Sequence, residues 1–356
     1  MPAVVDWTLA QRTAVRVSGR EPFAESYHYD SLEPDFTELT ALAEELVATE
    51  TGLRSLAGPA RGRVTDRPGW IAANIASFQR LLRPLTTRFE ERLAGRPLAP
   101  LTRMFAGVEI GVVLGWMSTR VLGQYDLLII EEEAPHDQDI VYYVGPNVLA
   151  IEKLYAFPPR EFRLWLALHE VTHRAQFTAI PWMRPHFLGL VERLLDAVDP
   201  DPQRLLEALG RVSDAIRAGR NPLADGGMAA LVAGDEQRAV LDELSGLMSL
   251  LEGHGDLTMD RAGAGRIPSA ERFGRVLRRR RQSARGIARL LQQLVGLEAK
   301  LAQYEAGERF IEHVERRAGP EVLEAVWREP ANLPTMAEIR DPDRWIARVG
   351  AQAVAG

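Results

Sequence analysis

In the stretch "LWLALHEVTHRAQF" two histidines stand four residues apart, and a glutamate follows the first: His169, Glu170 and His173 form an H-E-x-x-H. On a helix, residues four apart share a face, with Cβ atoms about 5–6 Å apart. Two imidazoles so placed can bind one metal ion. Glu170 lies about 100° further round the helix. It is poorly placed to join the same tetrahedron but can reach a water that the ion holds. Zinc brings the pKa of such a water to roughly 7, and a neighbouring carboxylate takes its proton as it attacks a carbonyl. The residue types point to zinc-assisted hydrolysis, with His169 and His173 as ligands and Glu170 as general base.

A zinc site of this kind needs a third protein ligand. The chain has no cysteine, so that ligand must be His, Asp or Glu. The metzincin extension would require Gly and His where this sequence has Gln176 and Ala179. The better candidate is Glu252, in "LDELSGLMSLLEGHGDLTMD". It falls inside an apolar stripe of Leu241, Leu244, Met248 and Leu251, where a carboxylate needs a partner. His254 would leave the opposite side of a continuing helix unless Gly253 and Gly255 bend the chain. It is an alternative ligand or a hydrogen-bond donor to the oxyanion. His186 is a further alternative ligand, and Asp256 or Asp260 could orient a ligand histidine. Tyr304, in "QYEAGERF", is a candidate phenol for the oxyanion.

These side chains need elements to hold them. Pro158 and Pro159 suit a helix start, nothing from Arg160 to Ala179 breaks the helix, and Pro181 ends it. Phe162, Trp165, Leu166, His169, His173 and Phe177 form one stripe, which should be the buried side. Upstream, 36–56 has helical spacing, and Asp66 is placed to cap the helix that carries Trp70, Ile71, Ile75 and Phe78. "DLLIIEEE" and "DIVYYVGPNVLAIE" read as strands broken by Pro135 and Gly145-Pro146. After Pro158 the chain reads as helical to about 315, and the Pro-rich end packs back over the body. The expected fold class is α+β, mainly helical, with a small sheet before the motif helix. The expected organisation is a single domain over 1–356: a helical N-terminal subdomain over 1–125, then the sheet and the metal-binding helices over 126–356. The turn-rich stretch 196–235 reads as an excursion from it.

Composition narrows the function classes. A net charge of −6 and a pI near 5.8 argue against nucleic-acid binding. "MFAGVEIGVVLGWM" is too short to span a bilayer and carries Glu109. Its glycines at 107, 111 and 115 suit close packing of two helices. No export signal is visible, so a cytoplasmic protein with no membrane partner is expected. The arginine run in "RFGRVLRRRRQSARG" goes all the way round a helix and reads as a solvated face.

Four blocks, "LWLALHEVTHRAQF", "LMSLLEGHGDLTMD", "KLAQYEAGERFIEHV" and "LPTMAEIRDPDRWIARV", resemble the zincin-like metallopeptidase family of actinobacteria and their relatives. "DRPGWIAANIASF" and "VYYVGPNVLAIE" resemble the branch associated with biosynthesis of a deazaflavin coenzyme. The resemblance implies a zincin-like fold and zinc-dependent hydrolysis of a peptide. It supports His169, His173 and Glu252 as zinc ligands and Glu170 as base. It also implies a strand that pairs with extended substrate, for which 139–145 is the candidate. Two other readings compete: a non-catalytic binding or regulatory protein on the same fold, and a hydrolase of a non-peptide amide in cofactor metabolism.

Overall fold

The computed structural model describes residues 5–23, 25–83, 99–127, 139–196, 235–282 and 297–350. The chain packs into two compact units, Met1–Ala179 with Thr258–Gln282, and Ile180–Leu257 with Ser283–Gly356. The turn-rich stretch lies outside the described residues over 197–234.

The first unit begins with α1 (Trp7–Ser18) and α2 (Leu32–Thr51). Strand β1 (Arg61–Thr65) and α3 (Arg67–Leu81) follow. The expected cap of α3 is present: Asp66 Oδ1 accepts from the Gly69 N–H at 2.7 Å. Helix α4 (Ala99–Ser118) carries the glycine repeat, and it packs as the spacing suggests. A methyl group at Gly107 or Gly111 would stand 2.5 Å from the backbone carbonyl of Asp6 or Ala10, so the bare face lets α4 lie directly on α1. Trp70, Ile71, Ile75 and Leu114 form the core beneath this layer.

The sheet contains β2 (Gly123–Tyr125) and β3 (Ile140–Val144) in the order β1-β3-β2. β1 runs parallel to β3 with Arg61 opposite Ile140, and β2 runs antiparallel with Gly123 opposite Tyr143. As the middle strand, β3 is buried on both faces, which its run of Ile, Val and Tyr already favours. One strand reading needs correction. Residues after Gly145-Pro146 form α5 (Gly145–Tyr155) rather than a strand, because proline in the first turn loses no hydrogen bond there. A short strand forms at 123–125, and most of the strand read in "DLLIIEEE" falls within 128–138, outside the described residues.

Helix α6 (Pro159–Thr178) carries the H-E-x-x-H, and its limits match the proline punctuation. Two buried arginines fix it to α2. Near its start Arg163 pairs with Glu152 at 2.8 Å and with Asp35. Near its end Arg174 pairs with Glu44 at 2.7 Å and with Asp139 at 2.7 Å. Between these anchors Phe36 of α2 stacks on Tyr143 of β3, with ring centroids 3.8 Å apart.

The second unit holds α7 (Met183–Asp196), the residues up to Leu257 of the long helix α8 (Asp235–Ala262), and α10 (Leu297–Ala318). Helix α9 (Ala270–Gln282) belongs to the first unit. Phe310, Val314, Val326, Ile339 and Trp345 build the core of the second unit with Leu250. Its Pro-rich end is thereby part of that core. Trp345 donates its indole N–H to the Asn332 carbonyl at 2.7 Å. Thr335 and Glu338 form a capping box at the start of the short helix Met336–Arg340.

Candidate active site

Between Phe162 and Thr178 the motif helix is buried on nearly every side. Only His169 and His173 retain partial exposure there. Phe162, Trp165, Leu166 and Phe177 of the expected stripe are buried, and within that stripe the two histidines alone keep some exposure. This is the arrangement a ligand pair needs, since a fully enclosed imidazole could take up nothing.

The two rings point their Nε2 atoms at each other, 3.3 Å apart. Their planes are nearly perpendicular, at 85°. Two nitrogens at zinc–nitrogen distances of about 2.0–2.1 Å in a tetrahedron stand about 3.3–3.4 Å apart, so the pair fits one ion. His173 holds its other nitrogen, Nδ1, 2.9 Å from Oε1 of the buried Gln176. An amide oxygen there accepts a hydrogen bond from Nδ1–H, which keeps the proton on Nδ1 and leaves Nε2 with its lone pair for a metal. Gln176 entered the sequence reading only as a departure from the metzincin pattern. Its spacing, three residues after the second histidine on one helix, was the available signal.

Glu170 is buried, at 8% exposure, and faces the sheet. A Cβ built on Gly123 would lie 2.7 Å from Glu170 Cγ and Oε1. The carboxylate therefore presses against the backbone of β2 at its only glycine. Tyr143, the cross-strand partner of Gly123, feels the same carboxylate. Burial pushes its phenol far above the ordinary pKa of 10.0. The hydrogen bond with Thr40 works the other way, and the charge of Glu170 adds to the rise. The phenol stays neutral.

The strand proposed to receive substrate also needs correction. β3 has β1 on one edge and β2 on the other, so its backbone is already paired. Among the described residues, the outermost strand beside Glu170 is β2.

In the second unit Glu252 is buried, at 5% exposure. The helix around it runs unbroken through Gly253 and Gly255. Those glycines do not bend the chain. A side chain at Gly253 would collide with the backbone of Gly307, so Gly253 lets α10 cross α8 closely beside Glu252. With the helix straight, Glu252 and His254 leave its axis about 200° apart. His254 is half-buried and meets Trp327 edge to face, with ring centroids 5.0 Å apart. His186 lies on α7 beside Trp182, where burial pulls its pKa below the ordinary value. Tyr304 belongs to α10, and its side chain lies outside the described residues. The arginine run lies on α9, where Arg278 and Arg279 are exposed as expected.

A sequence profile described as zincin-like metallopeptidase matches residues 5–346. A crystal structure from Chloroflexus aurantiacus, described as a candidate hydrolase with a novel fold, is 31% identical in sequence, with a TM-score of 0.70. The match covers 97% of this chain and 98% of that one. No protein of curated function matches significantly. Among the described residues, no helix is long and apolar enough to cross a membrane.

Proposed function

Because the chain belongs to the zincin-like metallopeptidase family, we propose that it is a zinc-dependent hydrolase of peptide or related amide bonds. The observation that carries this reading is the His169–His173 pair, with facing Nε2 atoms and a buried glutamate between them in sequence. His169, His173 and Glu252 would hold the ion. They comprise two nitrogen donors and one oxygen donor. Two neutral imidazoles and one carboxylate are also the donors that zinc takes in catalytic sites with an open fourth position.

When bound, zinc polarises the carbonyl and acidifies its water. The chain's own residues do the rest. Glu170 would serve as general base, holding a proton at a carboxylate oxygen and passing it to the leaving nitrogen. Gln176 keeps His173 in the tautomer that presents Nε2. The outer edge of β2 is the place for an extended substrate backbone, added as a further strand beside Glu170. His254 and Tyr304 are proposed as donors to the oxyanion.

The test is hydrolysis of a mixed fluorogenic peptide library by the zinc-loaded protein. Cleavage that is lost with a chelator, restored by zinc and absent in Glu170→Gln supports the reading. A zinc-loaded protein that leaves peptides intact but cleaves small N-acyl amides would move the substrate to the non-peptide class. Failure on both supports the non-catalytic reading.

A further inference from the structure

We infer that Gly123 is a positioning residue for Glu170, and that the motif helix itself holds Gly123 in place. The inference rests on the hydrolase reading for its catalytic meaning. The contact stands independently of that reading.

The steric part is direct. A methyl group on Gly123 would stand 2.7 Å from Glu170 Cγ and Oε1 and 2.9 Å from Cδ. Real Cβ atoms do not come that close to other heavy atoms, so either the strand or the carboxylate would have to move. Glu170 is buried on a helix, where few rotamers are open to it. The bare Cα at 123 is therefore a wall that sets where the carboxylate rests.

The strand is tied down at both ends. Gly123 lies opposite Tyr143, and the Val144 N–H donates to the Leu122 carbonyl at 2.8 Å. Two residues beyond Gly123, the Tyr125 hydroxyl donates to Asp139 Oδ1 at 3.0 Å. The other oxygen of Asp139 accepts from Arg174 Nε at 3.1 Å and from a terminal guanidinium nitrogen at 2.7 Å. Asp139 reaches this position with a left-handed backbone, φ 57°, which an aspartate tolerates better than most residues. Arg174 stands four residues after Glu170, one turn along the same face of the helix. The circuit is closed: helix to Arg174, to Asp139, to Tyr125, along β2 to Gly123, and back to Glu170. Displacing the strand would break buried, charge-assisted bonds, so a methyl group at 123 displaces the carboxylate instead.

A thermal double-mutant cycle tests the contact. Melting temperatures are measured for wild type, Gly123→Ala, Glu170→Ala and the double variant. The expected result is a clear loss for Gly123→Ala in the presence of Glu170 and little or no loss once Glu170 is shortened. Additive losses would overturn the inference. The positioning role is read on a peptide that the wild type hydrolyses. Gly123→Ala should keep its zinc by mass spectrometry while kcat falls by about a hundredfold, with KM little changed. If Gly123→Ala does not fold, Tyr125→Phe loosens the strand without a clash, and a smaller fall in kcat with zinc intact is expected. Coupling in the melting cycle with an unchanged kcat would reduce the contact to packing and overturn the positioning role. Absence of hydrolysis by the wild type would overturn the hydrolase reading instead, while the melting cycle still decides the contact.

Discussion

His169 and His173 turn their Nε2 atoms toward a common point, 3.3 Å apart, on a helix otherwise buried from Phe162 to Thr178. The separation fits two ligands of one tetrahedral ion. The two Nε2 atoms also lie within hydrogen-bonding distance of each other, and His173 has its far nitrogen engaged by Gln176. The account of the site rests on that relationship.

The bond from His173 Nδ1 to Gln176 should matter for metal binding. Gln176→Leu keeps the volume and removes the acceptor. Zinc affinity should fall by about 10–100-fold, the usual effect of losing an orienting partner. Competition with a chromophoric chelator measures it. Affinity equal to wild type would show that the bond orients nothing.

Arg174 should be a stability residue. It is 1% exposed and satisfies Asp139, Glu44 and the Gly58 carbonyl together. Arg174→Met would leave Asp139 buried without its cation, at a cost of about 3–5 kcal/mol. Urea unfolding is the check. Pairing it with Asp139→Asn should recover part of the loss, and a fully additive pair would contradict the assignment.

Glu170→Gln should separate binding from turnover. The amide keeps the shape, so zinc should remain at the wild-type level. Proton transfer should be lost, with turnover down by about 10²–10⁴-fold. A variant that retains wild-type turnover removes Glu170 from the mechanism.

Much of this was legible in the sequence because it depends on spacing. The four-residue interval placed His169 and His173 on one face, prolines bounded the helix at 159 and 178, and Asp66 marked a cap that forms. A carboxylate set in an apolar stripe singled out Glu252, which is buried. The misreadings have a common cause. A short apolar run suits a buried strand or a buried helix equally, so "NVLAIE" after Gly145-Pro146 reads as strand where Pro146 starts a helix. Which strand lies at an edge depends on pairing between distant segments, and no local pattern gives the order β1-β3-β2. The same holds for Gly123 against Glu170 and for Asp139 with Arg174, which meet only in the folded chain.

The capping box at Glu338 carries a pH dependence. Burial pushes this carboxyl upward, but bonds from Arg348 at 2.6 and 2.9 Å and from the Thr335 N–H outweigh it and leave the pKa below the ordinary 4.5. The folded chain then holds this proton more weakly than the unfolded chain does. Its stabilisation is present above pH 4.5 and is lost as pH falls through the lowered value. The gap in urea midpoint between wild type and Glu338→Gln should be widest near neutral pH and close in acid. A gap constant with pH would contradict the assignment.

The central claim is a zinc site built from His169, His173 and Glu252 with Glu170 outside it. Metal content by mass spectrometry on wild type, Glu252→Ala and Glu170→Gln addresses it most directly. The account predicts one zinc per chain in wild type and in Glu170→Gln, and loss of zinc in Glu252→Ala. Retention of zinc by Glu252→Ala would remove the third ligand, and a wild type that takes up no zinc would contradict the account altogether.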